Sequence, residues 1–198
     1  MPSRLRMNDV DSANCLFLIP ARLGSKRIPG KNFKELAGHT PLSRAIACAW
    51  NLQTRHPVVV STDNTKYRPA SSVVVVYRED RLADDTALMI DVVKDALQRW
   101  PGGDPVVLLQ PTQPLRRAET VRKAITLLTE DIDSVVTIGL DRFMRDGTAY
   151  VFWRRTVERF GTIYGKKVML MPVPAEETCP LDTPEEWIEA ERRLCALR

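Results

Sequence analysis

The chain has 198 residues, of which 44% are hydrophobic and 27% charged, with a formal net charge of +4. This length suits one domain, in which about 70% of the unfolded surface can be buried without covalent or metal staples. The modest charge resides in a single loop, which argues for a local anion site and against a nucleic acid partner, for which a broad basic face with interleaved aromatics is expected. Cys15, Cys48, Cys179 and Cys195 are widely spaced and only His39 and His56 could join them, a pattern that argues against zinc and for reduced thiols in a cytoplasmic protein. No apolar run approaches the roughly 20 residues needed to span a bilayer. Met1 to Asn14 is polar, lacks the apolar core of a signal peptide, and reads as a flexible tail with Met7 as an alternative start, leaving one domain over 15–198.

Short apolar runs then alternate with stretches of helical spacing, the pattern of a mixed, mostly parallel sheet covered on both faces. The first strand, Cys15 to Ala21, runs into IPARLGSKRIPGKN, which packs Arg22, Lys26, Arg27 and Lys31 with two glycines and two prolines and no acidic residue. A basic loop leaving a buried strand is either solvated or a cradle for phosphates. Gly24 and Gly30 would let the backbone approach an anion, and each cation could supply a charge-assisted bond of about 1.5 to 3 kcal/mol. It is not a Walker A loop, which needs four residues between its glycines and a hydroxyl after the lysine; here five intervene and Asn32 follows Lys31.

A helix over Pro41 to Gln53 precedes the strand Pro57 to Ser61, whose end, Ser61 to Asn64, carries hydroxyls and a carboxylate that suit a turn. The strand Val73 to Tyr77 leads into Arg78 and the acidic stretch before a helix over Thr86 to Trp100, where Asp85 or Thr86 favours the exposed amides. The strand Val106 to Gln110 ends in Gln, Pro and Thr, with two prolines to fix the turn. A helix follows over Ala118 to Glu130, then strands over Ser134 to Ile138, Thr148 to Trp153 and Val168 to Val173. Pro184 starts a last helix to Leu197 behind the cap Thr183. Asp131 and Asp133 spell DxD but precede a strand, as in a solvated turn. In sheets of this kind ligands sit beyond the carboxyl ends of the strands, where the candidate residues fall.

These segments together resemble the acylneuraminate cytidylyltransferase family, which activates sialic and related sugar acids as CMP conjugates. The basic loop matches its nucleotide signature apart from Leu23. Arg78 to Ala87 matches RPxxLAxDTA with Glu79 for the proline, and Met89 stands where a serine is common. Leu108 to Arg116 matches LLQPTSPLR with Gln113 for the serine, and Thr178 to Trp187 aligns with DIDTxxD, with Pro180 in place of the first aspartate.

The resemblance implies a Rossmann-like nucleotidyltransferase domain, α/β in class. It implies CTP bound by Arg22, Gly24, Ser25, Lys31, Asn32, Arg78, Ala87 and Gln110. Arg22 and Lys31 would meet the triphosphate as catalytic cations, Arg78 and Ala87 the cytosine, and Gln110 the ribose or the acceptor. Ser61 and Asp63 would line the pocket, and Arg116 would either face an anionic acceptor or cap a loop. Asp182 would hold Mg²⁺, helped by water, Glu176 or Glu177; read without the resemblance it is a helix-terminal charge.

After Gly139 the chain carries only Leu140 to Met144 where members acting on nine-carbon sugar acids have a long excursion. Arg145 to Phe152 then resumes the pattern x-N-G-A-I-Y-I-F, with Asp146 for the asparagine. A trimmed pocket points to a small anionic acceptor such as phosphonoformate, whose oxygen is already ionised and needs no general base. A sugar acid held by a differently built pocket, or a non-catalytic nucleotide-binding homologue, are the alternatives; a homodimer is compatible with all three. A glycosyltransferase is disfavoured by the misplaced DxD.

Overall fold

The computed structural model describes residues 12–139 and 144–197. Seven strands form one sheet in the order β3-β2-β1-β4-β6-β5-β7. They are β1 (Leu16–Pro20), β2 (Val58–Thr62), β3 (Val73–Tyr77), β4 (Val106–Leu108), β5 (Ser134–Gly139), β6 (Met144–Phe152) and β7 (Val168–Val173). The pairs β1–β2, β2–β3, β1–β4 and β5–β7 are parallel, and β6 runs antiparallel to both β4 and β5. Residues of β1, β2 and β4 are buried on both faces, which is why these strands read as unbroken apolar runs without alternation.

Helices α1 (Pro41–Trp50) and α3 (Ala118–Leu127) cover one face, with Phe17, Ile19, Val60, Leu109 and Ile125 in the shared core. Helices α2 (Met89–Arg99) and α4 (Arg154–Phe160) cover the other over Leu18, Val59, Val93, Phe152 and Val157. Among the described residues no helix is long and apolar enough to cross a membrane. Helix α4 was not expected from the sequence. Its seven residues carry β-branched Thr156 and Val157, weak helix formers, so only its junction with β6 and the left-handed Gly161 at φ 65° delimit it.

The tail assigned to 1–14 lies outside the described residues except for Ser12–Asn14. These form a 3-10 turn, with Ser12 Oγ donating to Leu52 O at 3.0 Å and Asn14 O accepting from Asp104 N at 3.0 Å. Helix α2 starts at Met89 and not at Thr86, because Asp84 Oδ1 takes the Thr86 and Ala87 amides at 2.8 and 2.7 Å and closes a separate turn first. That role, expected of Asp85 or Thr86, falls to Asp84. In the DxD stretch Asp133 Oδ2 accepts from Lys166 N and Lys167 N at 2.7 and 2.8 Å, so its carboxylate anchors the approach to β7 and is not simply solvated.

The last helix, α5 (Pro184–Ala196), packs Leu181, Trp187, Ala190 and Leu194 against Ile28, Leu36 and Leu115, which pins it beside the basic loop. Its first turn is closed by a capping box: Glu186 N donates to Thr183 Oγ1 at 3.2 Å, and Glu186 Oε2 accepts from Thr183 N at 3.0 Å. The same Oε2 accepts from Asp182 N at 2.8 Å, so the cap also fixes Asp182. Replacing Thr183 by alanine is expected to cost about 1 kcal/mol, read as a lower midpoint in urea with unchanged slope.

Candidate active site

The order of strands reverses between β1 and β4, and the site lies beyond the carboxyl ends of β1 to β4 at this switch point. A cleft of about 340 Å³ opens there. All nine candidate residues line it: Arg22, Gly24, Ser25, Lys31 and Asn32 from the loop after β1, Arg78 and Ala87 after β3, Gln110 after β4, and Asp182 before α5. Residues up to 160 positions apart in sequence thus share one wall because the parallel strands β1, β3 and β4 end on this side of the sheet and the segment before α5 packs beside the basic loop.

The basic loop is held from behind. Asp63 Oδ1 accepts from Leu23 N at 2.7 Å, Ala21 N donates to Ser61 O at 2.8 Å, and Asn32 Nδ2 donates to Arg22 O at 2.9 Å. Ser61 and Asp63, expected to line the pocket, instead stand behind its wall: the carboxylate is spent on the loop backbone and Ser61 is fully buried. Asn32 and Arg78 are 6% and 8% exposed, and among the described residues Asn32 Oδ1 and Arg78 Nε have no hydrogen-bond partner. Burial pushes the Arg78 guanidinium below its usual range, partly opposed by the Asp63 carboxylate.

Three of the loop cations, Arg22, Lys26 and Lys31, meet a carboxylate. Arg22 Nη1 lies 2.8 Å from Asp85 Oδ1, Lys26 Nζ lies 2.5 Å from Asp85 Oδ2, and Arg22 also donates to Asp84 O at 3.1 Å. Lys26 and Arg22 hold the Asp85 carboxyl below the usual carboxylate range. Such exposed pairs contribute little to stability and leave the cations free to exchange partners. Lys31 Nζ donates to Leu181 O at 2.5 Å and to Asp182 Oδ1 at 3.1 Å, bridging the basic loop to the start of α5. Asp85, which the sequence offered as a helix start, and Asp84, which it did not single out, both line the cleft; their place in the segment matching RPxxLAxDTA was the available signal.

The structure also decides between readings that the sequence left open for Arg116 and for Glu176 or Glu177, Arg116 being the cap of a loop. Arg116 does not face the cleft: its guanidinium donates to Thr148 O and Gln110 O, both at 2.6 Å, and to Gly147 O at 3.1 Å. Enclosure of that end of the side chain pushes its pKa down. Glu177 is equally engaged, accepting from Thr120 Oγ1 at 2.7 Å and Arg117 N at 3.1 Å, and neither it nor Glu176 lines the cleft. Gln113 is buried, with Nε2 donating to Asp146 O and Oε1 accepting from Cys179 N at 3.2 Å, so it ties β6 to the segment that carries Asp182. Of the shortened stretch Leu140 to Met144, which points to a small acceptor, residues 140–143 lie outside the described residues and Met144 opens β6.

The model of the Cytidylyltransferase family matches residues 16–145. The chain belongs to this family. It is 38% identical over 135 residues to the CMP-N,N'-diacetyllegionaminic acid synthase of Legionella pneumophila, a match covering 63% of the chain and 57% of that protein. It is 35% identical over 128 residues to the N-acylneuraminate cytidylyltransferase of Streptococcus agalactiae, covering 62% of the chain and 31% of that protein. The match therefore spans little more than half of the first relative and a third of the second. A solved CMP:2-keto-3-deoxy-manno-octonic acid synthetase complexed with CTP superposes with a TM-score of 0.73 at 14% identity, over 93% of the chain and 99% of that structure. The matched segment holds all nine of the cleft residues named above except Asp182.

Proposed function

We propose that the chain is a CTP-dependent cytidylyltransferase that transfers CMP to a sugar acid and releases pyrophosphate. The observation that carries the reading is the meeting of Arg22, Lys31 and Arg78, from separate parts of a family-matching segment, in one cleft that also holds Gln110 and Asp182. The relatives named above are sugar-acid enzymes, whereas phosphonoformate rested on the shortened segment alone. A sugar acid is accordingly the better reading of the acceptor.

In this reading Arg22 and Lys31 take the triphosphate, and Gly24 and Ser25 sit against it. Asn32 Oδ1 and Arg78 Nε supply an enclosed acceptor and donor beside the nucleotide, with Ala87 next to the base. The acceptor hydroxyl attacks the α-phosphorus in line; its bond to phosphorus forms as the bond to the bridging oxygen breaks, and pyrophosphate leaves with the bonding pair. The hydroxyl proton passes to a carboxylate on the wall, where Asp84, Asp85 and Asp182 stand. Positioning and electrostatics do most of the work in such transfers.

Among the described residues no three His, Cys, Asp or Glu side chains gather into a metal cage. A single carboxylate fits Mg²⁺, which keeps several waters and takes further oxygens from phosphates. Asp182, with a side chain 55% exposed on the cleft, is the residue that would hold it, and the ion would neutralise charge on the phosphates. The Asp182→Asn variant is expected to need at least about tenfold more Mg²⁺ for half-maximal rate, and an unchanged metal titration would reduce Asp182 to a partner of Lys31. Calorimetric titration with CTP tests the nucleotide half of the reading. One site per chain is expected, and heat that does not saturate would count against it.

A further inference from the structure

Gly147 stands in β6 with φ at +78°, beside the carboxyl end of β4. A Cβ there would lie 2.2 Å from Gln110 Oε1 and 3.1 Å from its amide carbon, far inside contact distance. The Gln110 amide therefore lies on the bare Cα of Gly147, oxygen end down.

This backbone has little room to yield. Arg116 donates to the carbonyls of Gln110, Gly147 and Thr148, and so ties the end of β4 to β6. The Asp146 carboxylate accepts from Thr137 Oγ1 at 2.6 Å, Thr148 Oγ1 at 2.7 Å and Thr148 N at 3.0 Å, while Gln113 donates to Asp146 O. The residues on both sides of Gly147 are thus held by groups that do not touch the cleft.

We propose that Gly147 is a positioning residue for Gln110. Because only hydrogen fits at its Cα, the Gln110 amide rests with its oxygen on the glycine, a weak C–H···O contact, which leaves its NH₂ on the far side of the amide, in a residue that lines the cleft. Gln110 then acts as a hydrogen-bond donor, and the group it selects is an oxygen acceptor on the bound substrates, a hydroxyl or a carboxylate. A side chain at Gly147 would both strain the backbone and turn the donor away.

The selection of a substrate oxygen rests on the transfer reading; the placement of Gln110 does not. The test is a cycle of Gly147→Ala, Gln110→Ala and the double variant, assayed for pyrophosphate release from CTP and a sialic acid, with a crystal structure of Gly147→Ala. Gly147→Ala is expected to displace the Gln110 side chain and to lower kcat/KM about 100-fold in the parent but less than about threefold in the Gln110→Ala background. A Gln110 that keeps its place, or an equal loss in both backgrounds, would overturn the proposal. Backbone strain at φ +78° is expected to lower the melting temperature of Gly147→Ala and of the double variant alike, so both are assayed at a temperature where thermal unfolding shows them folded. If the parent releases no pyrophosphate, the transfer reading fails and the position of Gln110 in the Gly147→Ala crystal decides the role of Gly147.

Discussion

Replacing Arg22 by alanine is expected to remove about 2.7 to 4 kcal/mol of transition-state stabilisation, a loss of roughly 100- to 1,000-fold in kcat, while leaving the fold intact. The expectation follows from two features of its position. Arg22 follows directly on the β1 end, in a loop pinned by Asp63 and Asn32, so its guanidinium is placed before any ligand arrives. Its own partners are an exposed carboxylate and one carbonyl, so its removal costs at most about 1 kcal/mol of stability. Steady-state kinetics beside thermal unfolding separates the two effects. Turnover within a few-fold of the parent would show that the cradle lies elsewhere.

Replacing Arg116 by alanine is expected to do the reverse. Three carbonyls at the junction of β4 and β6 lose the Arg116 donor, Gln110 O keeping the bond from Gln113 N at 3.4 Å, and leaving a buried carbonyl without a partner costs about 1 to 3 kcal/mol. Relief of the buried charge recovers part of this, so a net loss of about 3 kcal/mol is expected, lowering the melting temperature by roughly 6 to 12 °C. Affinity for CTP should change far less than stability. An Arg116→Ala variant of parental stability with a much weakened acceptor KM would mean that the guanidinium reaches the acceptor after all.

The contrast between these two arginines shows which part of the site is legible in sequence. Arg22 sits in a dense local signature, where one segment carries both the strand and its anion-binding loop. Arg116 sits in an equally recognisable segment, LLQPTQPLR, yet its direction depends on which strand pairs with β4. That partner, β6, lies more than thirty residues further on and is antiparallel, a register that local pattern does not encode. Strands β1, β2 and β4 were legible because parallel core strands are continuous apolar runs between turn signals. Helix α4 was not, being short and poor in helix formers.

The same limit applies to Asp84, Gly147 and Gln113. Asp84 lies within a recognisable segment, but its turn emerges only when the amides of Thr86 and Ala87 fold back on it. Gly147 matters through a side chain 37 positions away that reaches its Cα. Gln113 bridges β6 to the segment before α5, a contact between three distant stretches. Short-range motifs thus exposed the basic wall of the cleft. The supports around Gln110 and Asp182 are long-range and required the fold.

The most direct test of the account is pyrophosphate release by the purified chain with Mg²⁺ and CTP, across sialic acids, shorter keto-sugar acids and phosphonoformate, with UTP as the control nucleotide. The account predicts release with CTP and at least one sugar acid, accompanied by the matching CMP conjugate, and little with phosphonoformate or UTP. Saturable CTP binding with no pyrophosphate from any acceptor would contradict it and make the chain a nucleotide-binding homologue without transferase activity.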